Sequence, residues 1–311
     1  MSDASAAAAG AGPMHTPRIA ANPIPYWVRD GVVDKSRAVF EEAFADFANI
    51  GFTAVKADLP EGMRAPEYRA WLDSYGLAPA ISTVMVPFED GVEGLTDADG
   101  LRRFAVDQLA LGNTATMLIA PMTATRIDTP CVGVDATPEQ LATTTANLAA
   151  TCELLLSEGL YPAIHQHVGS LVETETELRH VLSELDAATL GFAPDTGHLT
   201  WAGMDPAPLI GEYGDRVAGI HLKDVFADFL GATGQARAQG LNYHEVGGTK
   251  RLWAEPGLGV VDLLGAVRAM PADYAGDYMI EVDVPSVDSR YESHRMSFEW
   301  AQRALVGATH G

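Results

Sequence analysis

From about residue 17 onward, short apolar runs alternate with longer stretches whose apolar positions recur every three or four residues. The first pattern predicts buried strands and the second amphipathic helices. "RIAANPI" reads as a strand, and "KSRAVFEEAFADFANIG" as a helix closed by Gly51. "FTAVKAD" is a second strand, followed by a helix through "APEYRAWLDSYG" that Gly76 ends. "APAISTVMV" and "DADGLRRFAVDQLALG" form a third pair. "TATMLIA" then precedes a long helix, "TPEQLATTTANLAATCELLLSEG", capped by Thr137. Further along come "YPAIH", "ETETELRHVLSEL", "LGFAPD", "DPAPLIGEYG", "VAGIHLKD", a long loop over about 225–256, "VVDLLGAVRAM", "YMIEVD" and "SHRMSFEWAQRALV".

Eight strand signals, most followed by a helix, predict an α/β chain folded as a (β/α)8 TIM barrel. An open doubly wound sheet is the rival. It would more often carry a glycine-rich phosphate loop after its first strand, where this chain has "NPIPYWVRDG". No composition shift marks a boundary, so residues 15–311 read as one domain. The Ala/Gly/Ser-rich start, residues 1–14, reads as a disordered tail.

Charge narrows the partners. With 20 Lys and Arg against 42 Asp and Glu, the formal net charge is −22. That speaks against nucleic acid and against an anionic membrane surface, since both need a basic face. Cys131 and Cys152 are the only cysteines, too few for a disulfide framework or a four-thiolate zinc site. No basic n-region and apolar h-region open the chain, and no apolar run reaches the ~18 residues of a membrane span. A cytoplasmic location is expected.

The chemistry-bearing residues gather at the ends of the last four strands. Strand five ends in "HQHVG" (His165, His167) and strand six in "PDTGH" (Asp195, His198). Strand seven ends in "HLKD" (His221, Lys223, Asp224) and strand eight in "EVD" (Glu281, Asp283). Each has a bland explanation. A histidine at a strand end is most often a hydrogen-bonded structural residue, and an aspartate there is most often a helix cap. Four consecutive strand ends of this kind are hard to obtain from capping alone. In a parallel barrel they surround one mouth, and mixed nitrogen and oxygen donors suit Mn²⁺, Co²⁺, Fe²⁺ or Zn²⁺.

At these residues the sequence resembles the xylose isomerase-like barrels of the sugar phosphate isomerase/epimerase superfamily. "DTGH", "HLKD" and "EVD" look like its signatures for strands six to eight, and "PGLGVVDLLGAV" like its segment before the last strand. Within it, "HQHVGSLVETETEL" and "GFAPDTGHLTWAGMDPAPLIGEYGDRVAGIHLKDV" are most similar to the inosose dehydratase branch. The bacterial C-glycoside deglycosidases use a related barrel as their large subunit. The resemblance implies metal ligands at Asp195, His221 and Glu281. The fourth position is normally a glutamate at the end of strand five, where this chain has His165. His165, His167, Glu173 or water stay open for that place. The cofactor implied is a divalent metal, Mn²⁺ first, with Co²⁺ or Zn²⁺ as alternatives.

Such a metal can hold the vicinal oxygens of a keto-polyol and stabilise the enediolate formed when a proton leaves the neighbouring carbon. His167 is the first choice of base, because alternation gives it a common face with His165. His198 and Lys223 orient substrate or stabilise an alkoxide. Lys223 reads equally well as a salt-bridge residue. Glu173 serves as an acid or base, or more simply as a charge at a helix start. Trp27 and Trp201 stack on a ring or belong to the core. Tyr243, His244 and Trp253 in the long loop cover a substrate, meet a partner, or lie in a loose surface excursion.

The resemblance implies elimination of water or an aglycone from a ketosugar, keto-inositol or oxo-glycoside. Isomerase or epimerase activity is the runner-up. A phosphodiester-cleaving barrel conflicts with the acidic charge, and a non-catalytic scaffold conflicts with the retained Asp195, His221 and Glu281. A small partner subunit and a homo-oligomer both stay open.

Overall fold

The structure is a computed structural model that describes residues 17–29, 31–231 and 239–308. The expected tail lies outside the described residues. Eight barrel strands run in chain order: β1 Arg18–Ala21, β2 Ala54–Lys56, β3 Ala78–Ala80 with Ser82–Met85, β4 Ala115–Ile119, β5 Tyr161–Ile164, β6 Gly191–Phe192, β7 Ile220–Leu222 and β8 Asp277–Ile280. Neighbours pair in parallel, and β8 pairs with both β1 and β7. The break in β3 falls at Ile81, whose amide donates to Asp277 Oδ2 at 2.9 Å instead of to the ladder. Parallel bridges from Phe192 to Val217 and from Asp195 to His221 join β6 to β7 and close the ring.

The outer helices are α1 Arg37–Ile50, α2 Ala65–Asp73, α3 Ala98–Leu111, α4 Pro138–Glu158, α5 Glu175–Glu184, α6 Pro206–Glu212, α7 Leu263–Ala269 and α8 Arg290–Ala308. Helix α1 buries Val39, Phe40, Ala43, Phe44 and Phe47, the three-to-four spacing of an inward stripe. It stops at Gly51, whose φ of 112° is a left-handed cap that favours glycine. Thr137 caps α4, its hydroxyl accepting the Gln140 amide at 3.2 Å. Among the described residues, no helix is long and apolar enough to cross a membrane.

The core has three parts. Small and unbranched side chains, among them Ala20, Ala54, Ala80, Met117, Ala163 and Met279, fill the barrel interior. Larger residues pack between sheet and helices. A third cluster, with Val168, Trp201, Phe229, Val246, Leu252 and Trp253, roofs the mouth. Much of that roof comes from the long segment after β7, which is more ordered than its sequence suggests. It contains an antiparallel ribbon of Asp224–Val225 with Trp253–Ala254 and a short helix, Tyr243–Gly247. Asp224 anchors it by accepting the amides of Gly257, Gly259 and Val261 at 2.9–3.0 Å. Residues 232–238 of the segment lie outside the described residues.

Candidate metal centre

Asp195 follows β6 and caps the short helix Thr196–Trp201, with Oδ1 accepting the His198 amide at 2.8 Å. That is the bland role of such a residue, and it occupies one oxygen only. Oδ2 is buried with no hydrogen-bond partner among the described residues. It lies 3.4 Å from His221 Nδ1 and 3.7 Å from His165 Nε2. Glu281 Oε2 adjoins the same His221 nitrogen at 2.9 Å. Among the described residues, His221 Nδ1 forms no aligned hydrogen bond despite these close approaches. His165, Asp195, His221 and Glu281 thus crowd one small buried space.

These separations suit a cation. With metal–ligand bonds of about 2.0–2.2 Å, adjacent donors stand about 3.0 Å apart at right angles and about 3.4 Å apart in a tetrahedron. His165, Asp195 and His221 each offer a donor atom within 4.8 Å of the others, and all three are buried. His165 Nδ1 lies 3.2 Å from the Ala193 carbonyl. Donation there fixes the tautomer that leaves Nε2 free, the usual outer contact of a metal-binding imidazole. The residues present therefore fit a divalent ion held by two imidazoles and a carboxylate, with Glu281 beside them.

Lys223 forms the next layer. The glycine of "DTGH" makes room for it, since a Cβ on Gly197 would stand 2.7 Å from Lys223 Cγ. Its ammonium is fully buried, 2.7 Å from Glu281 Oε1, 2.9 Å from Asp283 Oδ2 and 3.9 Å from the Trp253 ring centre. Asn22, at the end of β1, donates to Glu281 Oε2. Burial alone would raise Asp195 and Glu281, but Lys223 and then His221 hold both carboxyls below their usual range. Burial would also lower His221, yet the carboxylates of Glu281 and Asp195 hold it up at about 9. Asp283 is raised to about 7, because burial and the Glu281 charge outweigh Lys223.

His167 stands beside this group, its ring 6.2 Å from that of His165 and 3.8 Å from that of His198. Its Nδ1 lies 2.8 Å from the Val168 carbonyl. Donation there places the lone pair on Nε2, as a base requires. Burial, with the Lys223 charge, lowers its pKa to about 4, so the ring is neutral near pH 7. His198 lies between two donors, its Nδ1 3.3 Å from the Val168 amide nitrogen and its Nε2 3.3 Å from the Lys223 ammonium. Trp201 is buried behind it, 6.0 Å from the His198 ring, and Tyr243 stacks on Trp201 at 5.3 Å.

Two residues singled out in the sequence sit elsewhere. Glu173 is committed to the backbone, with Oε2 accepting the amides of Cys131 and Gly169 and Oε1 that of Gly133. It latches the loop after β4 to the loop carrying His167. Burial outweighs these donors and raises its pKa. Trp27 packs on Phe40 with its ring centre 5.4 Å away and Lys35 above it, outside the donor group. Sequence reasoning missed Asn22. Its signal was its place at the end of the first strand, which a closed barrel sets beside the last.

The comparisons follow this geometry. Residues 44–303 match the family model described as "Xylose isomerase-like TIM barrel". An inosose dehydratase from Geobacillus kaustophilus (strain HTA426) is 25% identical over 290 residues, covering 90% of this chain and 92% of the relative. A solved structure of L-ribulose 3-epimerase superposes with a TM-score of 0.67 at 14% identity, covering 94% of this chain and 95% of that one. The IOLI protein, whose structure has a bound zinc atom, superposes with a TM-score of 0.66 at 11% identity, covering 94% and 100% of the two chains. The strand-end signatures, the closed parallel barrel and the matched length agree: the chain belongs to the xylose isomerase-like TIM barrel family.

Proposed function

We propose that this protein is a metal-dependent lyase that removes a proton next to the carbonyl of an oxidised cyclic polyol and expels a β-substituent. One juxtaposition carries the reading. A buried donor set of His165, Asp195 and His221 lies next to His167, a neutral imidazole with its Nε2 lone pair free. Elimination, rather than isomerisation, is supported by the dehydratase activity named for the relative that aligns over 90% of this chain.

His165, Asp195 and His221 would hold the ion, with Glu281 completing the set. A bound divalent cation supplies Lewis acidity that polarises the ketone. Two imidazoles with carboxylate favour Zn²⁺, Co²⁺, Fe²⁺ or Mn²⁺ over Mg²⁺ or Ca²⁺. His167 Nε2 takes the proton from the carbon beside the carbonyl. Lys223 gives two N–H bonds to Glu281 and Asp283 and lies 3.3 Å from His198 Nε2, so its charge is held at the edge of the donor group. His198 Nε2 helps to position that ammonium. Trp253, Trp201 and Tyr243 exclude water, which strengthens every interaction inside.

The test is the product mass after the metal-loaded protein meets an inosose in deuterated water. A product one water lighter supports elimination. An isomer of unchanged skeleton carrying solvent deuterium would move the chain to the isomerases and epimerases.

A further inference from the structure

A cleft of about 670 Å³ opens beside the roof of the centre, with Tyr243, Trp253, Asp283, Lys250 and Arg290 among its walls. That size suits a small-molecule site. Its inner end reaches the catalytic layer, because Asp283 and Trp253 both touch the Lys223 ammonium. Its charges do not all balance internally. Asp283 is taken by Lys223 at 2.9 Å, and Asp288 faces Lys250 at 3.6 Å. Arg290, the first residue of α8, has no ion pair among the described residues. Its Nη1 is buried without a hydrogen-bond partner, and the guanidinium lies 5.4 Å from the Tyr26 ring.

In a chain with twice as many acids as bases, a guanidinium with no carboxylate partner among the described residues, in a cleft leading to the centre, suits an external anion. A guanidinium fork binds carboxylate or phosphate oxygens in pairs, with geometry that an ammonium does not reproduce. We infer that Arg290 is a specificity-determining residue of this cleft, and that the substrate carries a carboxylate or phosphate besides its reacting ketone. The inference rests on the lyase reading for the reacting ring and adds the charge of the rest of the molecule.

Calorimetric titration of the metal-loaded protein tests it without turnover. The probes are quinate (a hydroxylated ring with a carboxylate), inositol 1-phosphate and uncharged myo-inositol. At least one anion is expected to bind ten-fold or more tightly than myo-inositol. Arg290→Gln should remove most of that preference and leave myo-inositol unchanged. Which anion is preferred tells carboxylate from phosphate. If Arg290→Gln does not fold, Arg290→Lys carries the test, with weaker anion binding expected and myo-inositol unaffected. Equal anion affinity in wild type and variant, or neither anion exceeding myo-inositol, overturns the inference. Loss of the lyase reading with anion binding intact would leave the Arg290 site standing, so the two failures are distinguishable.

Discussion

Asp195 accepts the His198 amide on one carboxylate oxygen at 2.8 Å and leaves the other, among the described residues, without a hydrogen bond in a buried group of imidazoles. The two oxygens make separable predictions. Asp195→Asn keeps a capping oxygen, so thermal stability should stay near that of wild type while metal affinity falls at least ten-fold. Asp195→Ala should lose both, with about 1 kcal/mol of stability going with the cap. Thermal melts beside elemental analysis check this. Equal metal content in all three proteins would contradict it.

His167 is placed as the base. His167→Ala should keep its metal and lose about 10²–10⁴-fold in proton abstraction, read as solvent-deuterium exchange into a bound ketosugar. The pH dependence has a definite sign. With its pKa lowered from 6.5 to about 4, His167 stays neutral above that value. Exchange limited by this base should therefore hold from pH 7 down to about 5 and fall as the pH passes 4. A fall centred near 6.5 would assign the base to another group.

Metal uptake should release protons. The carboxylates hold His221 protonated up to about 9, and a bound cation needs the neutral ring. Titration at neutral pH in two buffers of different ionisation enthalpy should show about one proton released per ion. The release should fade, and apparent affinity should level off, as the pH rises through 9. Uptake without proton release would place the ion away from His221.

Glu173 acts as a latch in this structure. Glu173→Ala leaves the amides of Cys131, Gly133 and Gly169 without their acceptor, at about 1–3 kcal/mol for each that is buried. A lower melting temperature with full metal content is expected. Loss of the metal with stability unchanged would make Glu173 a ligand instead.

The barrel was legible because its strands and helices differ in apolar period, and glycines such as Gly51 and Gly159 mark where helices stop. The donor group was legible because parallel strands bring their ends to one mouth whatever their separation in sequence. Side-chain direction was not. Glu173 lies six residues beyond His167, yet its oxygens turn away to three amides. The roof was also hidden, because Trp253, Leu252 and Val246 pack on Trp201 and Val168 rather than on any periodic face of their own segment. Arg290 gave no sign in a helical pattern, since what distinguishes it is the lack of a charge partner in space among the described residues.

The most direct test of the metal centre compares wild type with His165→Ala and Asp195→Asn after identical reloading with zinc, cobalt or manganese and dialysis. The measurement is bound metal per chain. About one ion in wild type, largely lost in both variants, is the predicted result. Metal-free wild type, or an ion retained equally in both variants, would contradict a centre built on these side chains.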